Sequence, residues 1–184
     1  MIPLNVPNVL TVLRILAVPV LVVALLDETP GGDVLAAIVF AVASLTDAVD
    51  GYLARSRNWV TTFGKLMDPI ADKLLIIGAL VALVSLNRLA AWVAMVIIAR
   101  EFAVTAMRVA AVSQGVVVSA NVLGKLKTVF QVAMVFALIL VDNDPAWVQI
   151  LVYVTVGITV FSGVDYFFGI RGKLRERERR VTRN

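Results

Sequence analysis

The chain has 184 residues, of which 60% are hydrophobic, with a formal net charge of +4 and a mean hydropathy of +0.93. Soluble globular chains are about 45–50% apolar, so this composition excludes an ordinary soluble domain and points to a polytopic membrane protein of one domain. It holds no cysteine and no histidine, which excludes disulfides, thiolate metal sites and imidazole base catalysis and leaves Asp and Glu as side-chain metal ligands.

Taken in order, the start MIPLNVPNVL lacks the basic leader and small-residue cleavage site of a signal peptide, so it is expected to stay in the mature protein. Six apolar segments follow, at Pro7–Leu26, Val34–Arg55, Phe63–Leu86, Ala90–Val112, Leu123–Val141 and Trp147–Ile170. Each is long enough to cross a bilayer as a helix. The predicted fold is therefore all-α with six transmembrane helices in a single domain over residues 1–170 and a basic tail over 171–184. The intervening stretches DETPGGD, SLNRL and VDNDP read as turns.

Charge sets the orientation. Segment one is followed by three acids and no base, and segment five by Asp142 and Asp144. Arg55, Arg57, Lys65, Lys125 and Lys127 lie on the other side, together with the tail RGKLRERERRVTRN, which carries seven bases against two acids. The positive-inside rule places that side, with both termini, in the cytoplasm. Arg88 is the exception to this alternation. The tail is a topology signal, and its bases would also be drawn to anionic headgroups of the membrane lipids.

Asp47 and Asp50 are three apart near the cytoplasmic end of segment two, and Asp68 and Asp72 are four apart at the start of segment three. Both spacings put side chains on one helix face, and a hairpin lets the two faces meet. If Pro69 opens the third helix, Asp68 is its N-cap; otherwise Pro69 interrupts a helix already begun. Converging carboxylates repel unless compensated by Arg55, Lys65 and Lys73 or by bound cations. An oxygen-only set selects hard ions such as Mg²⁺ or Mn²⁺, and a pair of such ions is a recurrent device in phosphoryl chemistry. Gly51 and Ala54 leave that face uncrowded, and Arg55 offers a bidentate phosphate contact. The bland alternative is a polar cap of ion pairs at the interface.

This stretch resembles the signature of the CDP-alcohol phosphotransferase family, D-x2-D-G-x2-A-R-x8-G-x3-D-x3-D, here Asp47, Asp50, Gly51, Ala54, Arg55, Gly64, Asp68 and Asp72. The resemblance implies a six-helix membrane enzyme that moves a phosphatidyl-type group from a CDP-linked donor to an alcohol and releases CMP. It further implies that Asp47, Asp50 and Asp68 ligate two divalent metal ions, Mg²⁺ or Mn²⁺, and that Asp72 is the general base and touches metal as well. Asp50, Gly51, Ala54, Arg55 and Gly64 would line the CDP pocket. A plasma-membrane location and a homodimer are implied too, with no role for nucleic acid.

Within the family, NVPNVLTVLRILAVPVLV, AREFAVTAMR and LGKLKT resemble the subgroup that uses CDP-diacylglycerol and sn-glycerol 3-phosphate. The acceptor phosphate then needs a positive pocket, for which Arg100, Arg108, Lys125 and Lys127 are the candidates. Arg100 has an alternative partner in Glu101, and the other three have one in snorkelling at the interface. Asn8, Thr11 and Arg14 form a polar stripe on segment one, with Asp165 as one conceivable partner of Arg14. Other acceptors (inositol phosphate, serine, phosphatidylglycerol), a membrane prenyltransferase and a cation transporter are the competing readings.

Overall fold

The computed structural model describes residues 6–27, 30–56, 62–115, 122–141 and 145–181, with side chains described outside positions 6, 7, 47–66 and 173–181. Among the described residues the chain forms six helices: α1 (Val6–Leu26), α2 (Gly32–Ser56), α3 (Thr62–Ser85), α4 (Ala91–Ser113), α5 (Val122–Leu140) and α6 (Ala146–Val181). Three of them are long and apolar enough to cross a membrane by composition, in the stretches Asn8–Leu26, Val122–Leu140 and Ala146–Gly172. In α3 and α4 charged side chains interrupt the apolar run, namely Asp68, Asp72 and Lys73 in one and Arg100, Glu101 and Arg108 in the other.

The last helix runs on past Ile170, where the apolar segment ends, to Val181. Apart from Gly172, residues 171–181 are mostly Arg, Lys, Glu and Leu. These are good helix formers, so leaving the apolar segment does not end the helix. Pro69 lies inside α3, which begins at Thr62. Asp68 is therefore an interior residue and not an N-cap, and Pro69 leaves one carbonyl of the preceding turn without its usual donor.

The distribution of side chains is that of a bundle seated in lipid. Large apolar groups face outward, including Leu13, Leu16, Val23, Leu45, Phe161 and Phe168. The interior holds Asn8, Thr11, Arg14, Lys127, Gln131, Thr155, Thr159 and Ser162, all buried. In lipid, apolar surface gives no net drive to association, so close packing of small residues and interhelical polar contacts carry it. α1 packs along α2 and α3, with buried Ala24, Ala36, Ala37, Ala43, Ala79 and Ala82 allowing close approach. α5 and α4 both pack on α6, α2 also meets α5, and α3 meets α4 and α5.

Gly78 is one such contact: a Cβ there would lie 2.9 Å from Val18 Cγ1. Gly78→Ala is accordingly expected to lower stability by about 1–3 kcal/mol, since overpacking forces side chains off their rotamers. Thermal unfolding in detergent checks this, and an unchanged melting temperature would mean that α1 and α3 separate freely at this point.

At the end of the bundle remote from the acids, α3 closes in a Schellman turn. Arg88 N–H donates to Leu83 O at 2.9 Å and Asn87 N–H to Val84 O at 3.1 Å, with Asn87 in the left-handed region at φ 56°. The same turn explains the misplaced base. Arg88 donates to both carboxylate oxygens of Asp33, at 2.9 and 2.8 Å, and to Ile139 O at 3.1 Å. The charge that breaks the alternation is thus neutralised in place and ties the start of α2 to the α3–α4 turn and to α5.

Candidate active site

The polar stripe of α1 faces inward onto α3. Asn8, Thr11 and Arg14 are buried, and Arg14 has the largest of the fully buried side chains. Their spacing of three keeps them on one helix face. Thr11 Oγ1 donates to Asp68 Oδ1, and Arg14 Nη1 donates to Asp72 Oδ1 at 2.7 Å. Arg14 Nε also donates to Ala43 O of α2 at 3.3 Å. The partner of Arg14 is thus the second acid of α3, while Asp165 lies exposed on α6. Asp68 and Asp72, four residues apart, are held from the same side by two residues of α1. Asp72 keeps 41% of its side chain exposed, so a carboxylate fixed by a buried guanidinium still opens outward.

Asp47, Asp50, Gly51, Ala54 and Arg55 occupy the last turns of α2, and Gly64 the first turn of α3. Their side chains lie outside the described residues. Among the described residues no group of three acids is gathered for a metal. Asp68 and Asp72 present carboxylate oxygens with no nitrogen or sulfur ligand beside them, which is the donor chemistry of a hard divalent cation. The residues present therefore fit such an ion.

The four candidate bases part company. Lys127 is buried, and its Nζ donates to Glu101 Oε1. Lys125, two residues earlier, is exposed. Arg100 donates through Nη1 to Glu101 Oε1 at 3.2 Å and through Nη2 to Ser162 Oγ at 3.0 Å. Arg108 is exposed, with Nε donating to Tyr166 Oη at 3.2 Å and its guanidinium carbon 5.7 Å from the centre of the Tyr166 ring. Arg100 and Arg108 do share the face of α4 turned to α6.

A crevice of about 100 Å³ links the acids to one of these bases. It is lined by Asp72, Lys73, Glu101, Lys127, Thr128 and Gln131 against an isoleucine-rich wall from α3 and α4. Lys127 and Asp72 thus face a common space, whose lining does not include Arg100, Arg108 or Lys125. A second groove, of about 480 Å³ and apolar, runs between α1 and α2 and has Arg14 and Thr46 in its wall. Sequence reasoning missed Glu101 as a member of the site and treated it only as a partner for Arg100. The signal was a carboxylate in the middle of an apolar helix, which is rare without a function.

Comparison with known proteins identifies the family. A family model described as CDP-alcohol phosphatidyltransferase matches residues 4–161. The chain is 43% identical to CDP-diacylglycerol--glycerol-3-phosphate 3-phosphatidyltransferase of Bacillus subtilis (strain 168), over 89% of this chain and 93% of the relative. It is 41% identical to a probable phosphatidylglycerophosphate synthase of Mycobacterium tuberculosis (strain ATCC 25618 / H37Rv), over 88% of this chain and 79% of the relative. A Salmonella choleraesuis (strain SC-B67) protein with the same name as the Bacillus one is 34% identical, over 92% and 97%.

Proposed function

The chain belongs to the CDP-alcohol phosphatidyltransferase family, and from that premise we propose that it is a membrane enzyme of phospholipid biosynthesis. It transfers phosphatidyl from CDP-diacylglycerol to sn-glycerol 3-phosphate, giving phosphatidylglycerophosphate and CMP. The names of its relatives support both substrates. One observation carries the assignment of roles: Asp72, fixed by Arg14, and Lys127, fixed by Glu101, line one crevice.

In this reading the acceptor lies in the crevice with its phosphate toward Lys127 and a hydroxyl toward Asp72. Asp72 takes the hydroxyl proton as the oxygen bonds to the phosphatidyl phosphorus. The bond from that phosphorus to the CMP oxygen breaks, and CMP leaves with the electron pair. Arg14 holds the carboxylate in one orientation throughout, so no reorganisation is needed at the moment of transfer. Asp47, Asp50 and Asp68, with Asp72, would hold two divalent ions, Mg²⁺ or Mn²⁺, in keeping with the general metal dependence of the family. When bound, such ions neutralise the donor pyrophosphate and the departing CMP. Gly51, Ala54, Arg55 and Gly64 would form the cytidine diphosphate pocket. Arg108 and Lys125 are better read as interfacial residues than as acceptor ligands, since both are exposed and neither lines the crevice; Arg100 does not line it either but shares Glu101 with Lys127.

The helices that can span a membrane fit an integral membrane protein. The distribution of bases supports a plasma-membrane enzyme with its site and both termini in the cytoplasm. A homodimer belongs to the same reading on family grounds.

CMP release from CDP-diacylglycerol in mixed micelles with Mg²⁺ tests the acceptor. Release is expected to depend on added glycerol 3-phosphate and to stay at the buffer level with serine, inositol phosphate or phosphatidylglycerol. If glycerol 3-phosphate gives no more CMP than buffer, this reading fails.

A further inference from the structure

Three charges meet in the interior where α4, α5 and α6 come together. Glu101 Oε1 accepts from Lys127 Nζ and from Arg100 Nη1, and Arg100 Nη2 reaches Ser162 Oγ. The side chains are 15%, 8% and 13% exposed for Glu101, Lys127 and Arg100. A single carboxylate oxygen thus gathers two cations from two helices. Gly163 leaves room for the stem of Arg100, because a Cβ there would lie 3.2 Å from Arg100 Cγ.

The cluster is not closed. Two cations and one anion leave a positive charge in excess, and Arg100 Nε is buried without a hydrogen-bond partner. Charges sequestered among helices are costly when they are not fully compensated. A carboxylate serving only to neutralise would be matched to one cation. Here it binds two and leaves donor capacity and net charge over, beside a crevice that Lys127 and Glu101 share with Asp72. An incoming phosphate supplies what is missing, namely negative charge and several acceptor oxygens.

We propose that Glu101 is the positioning residue of the acceptor-phosphate pocket. It does not touch the acceptor; it holds Lys127 so that its ammonium faces the crevice, while Arg100 bonds the same carboxylate oxygen and Ser162. The proposal rests on the acceptor reading given above, and it assigns a role to a residue outside the family signature.

The test uses the full-length enzyme in mixed micelles and compares wild type with Glu101→Ala, Glu101→Gln, Lys127→Ala and the double variant carrying both alanines. Glu101→Ala is expected to raise the KM for glycerol 3-phosphate roughly tenfold, with kcat and the KM for CDP-diacylglycerol changed less than about twofold. Glu101→Gln retains an oxygen at the same place and should recover most of that loss. In the Lys127→Ala background, adding Glu101→Ala should raise KM by less than about twofold, because residues that act through one another are not additive. Fully additive effects, an unchanged acceptor KM, or equal losses for both substrates would overturn the proposal. Should the alanine variant not fold, Glu101→Asp withdraws the carboxylate by one methylene and must raise the same KM; no rise overturns it. A wild-type enzyme with no response to glycerol 3-phosphate defeats the acceptor reading itself. An active wild type with unaffected Glu101 variants defeats only the role of Glu101.

Discussion

Asp72→Asn is expected to abolish turnover while the protein folds and still binds its nucleotide donor. Asparagine has nearly the shape of aspartate and keeps a carbonyl oxygen where Asp72 Oδ1 accepts from Arg14 Nη1 at 2.7 Å. The contact between α1 and α3 therefore survives the substitution. What is lost is the capacity to take a proton. A positioned base contributes about 10²–10⁴-fold to rate, so CMP release should fall by at least the lower of these. Two measurements separate the roles open to Asp72. Turnover with saturating glycerol 3-phosphate reads the base, and CDP binding by calorimetry in the presence of Mg²⁺ reads the donor site. Loss of all donor affinity would mean that Asp72 acts chiefly as a metal ligand.

Much of this fold was legible in the chain itself. Runs of apolar residues near the length of a bilayer crossing, separated by Pro, Gly and acids, bracket the helices to within a few residues. Where a boundary missed, the reason is local. Hydropathy marks where lipid stops, whereas helix propensity decides where α6 stops. Periodicity also put Asn8, Thr11 and Arg14 on one face and parted Lys125 from Lys127. It gave no means of telling which face turns inward, because in lipid both faces are apolar apart from these residues. Partnerships across helices were out of its reach. Arg14 with Asp72, Arg88 with Asp33 and Lys127 with Glu101 join residues far apart in sequence, and each depends on how the helices pack. Pro69 posed a similar problem, since the sequence allowed either a helix start or an interior position, and the helix proved to have begun at Thr62.

Replacing Arg14 tests whether that packing and the chemistry are one device. Arg14 is 1% exposed, and its guanidinium bonds the backbone of α2 at Ala43 and the carboxylate of α3 at Asp72. Arg14→Met keeps much of the apolar stem but removes these two bonds; the Ala43 carbonyl still accepts from Thr46 Oγ1 at 2.8 Å, so the main loss is the guanidinium bond to Asp72 Oδ1. Removing one partner of a buried pair costs about 3–5 kcal/mol. Asp72 is partly open to water, so a loss of about 2–3 kcal/mol is expected, with a fall of roughly 5–10 °C in the melting temperature of the detergent-solubilised protein. Activity should suffer more than stability. A carboxylate that has lost the guanidinium bond presents its oxygen to the acceptor hydroxyl less precisely, and kcat is expected to drop roughly 100-fold even where the protein remains folded. Arg14→Lys separates charge from geometry. A single ammonium restores the positive charge beside Asp72 but lacks the planar fork that reaches the carboxylate and the α2 carbonyl at once. Stability should recover partly and kcat less so. If Arg14→Met melts and turns over like wild type, Arg14 neither braces the bundle nor orients the base, and the inward stripe of α1 has another purpose.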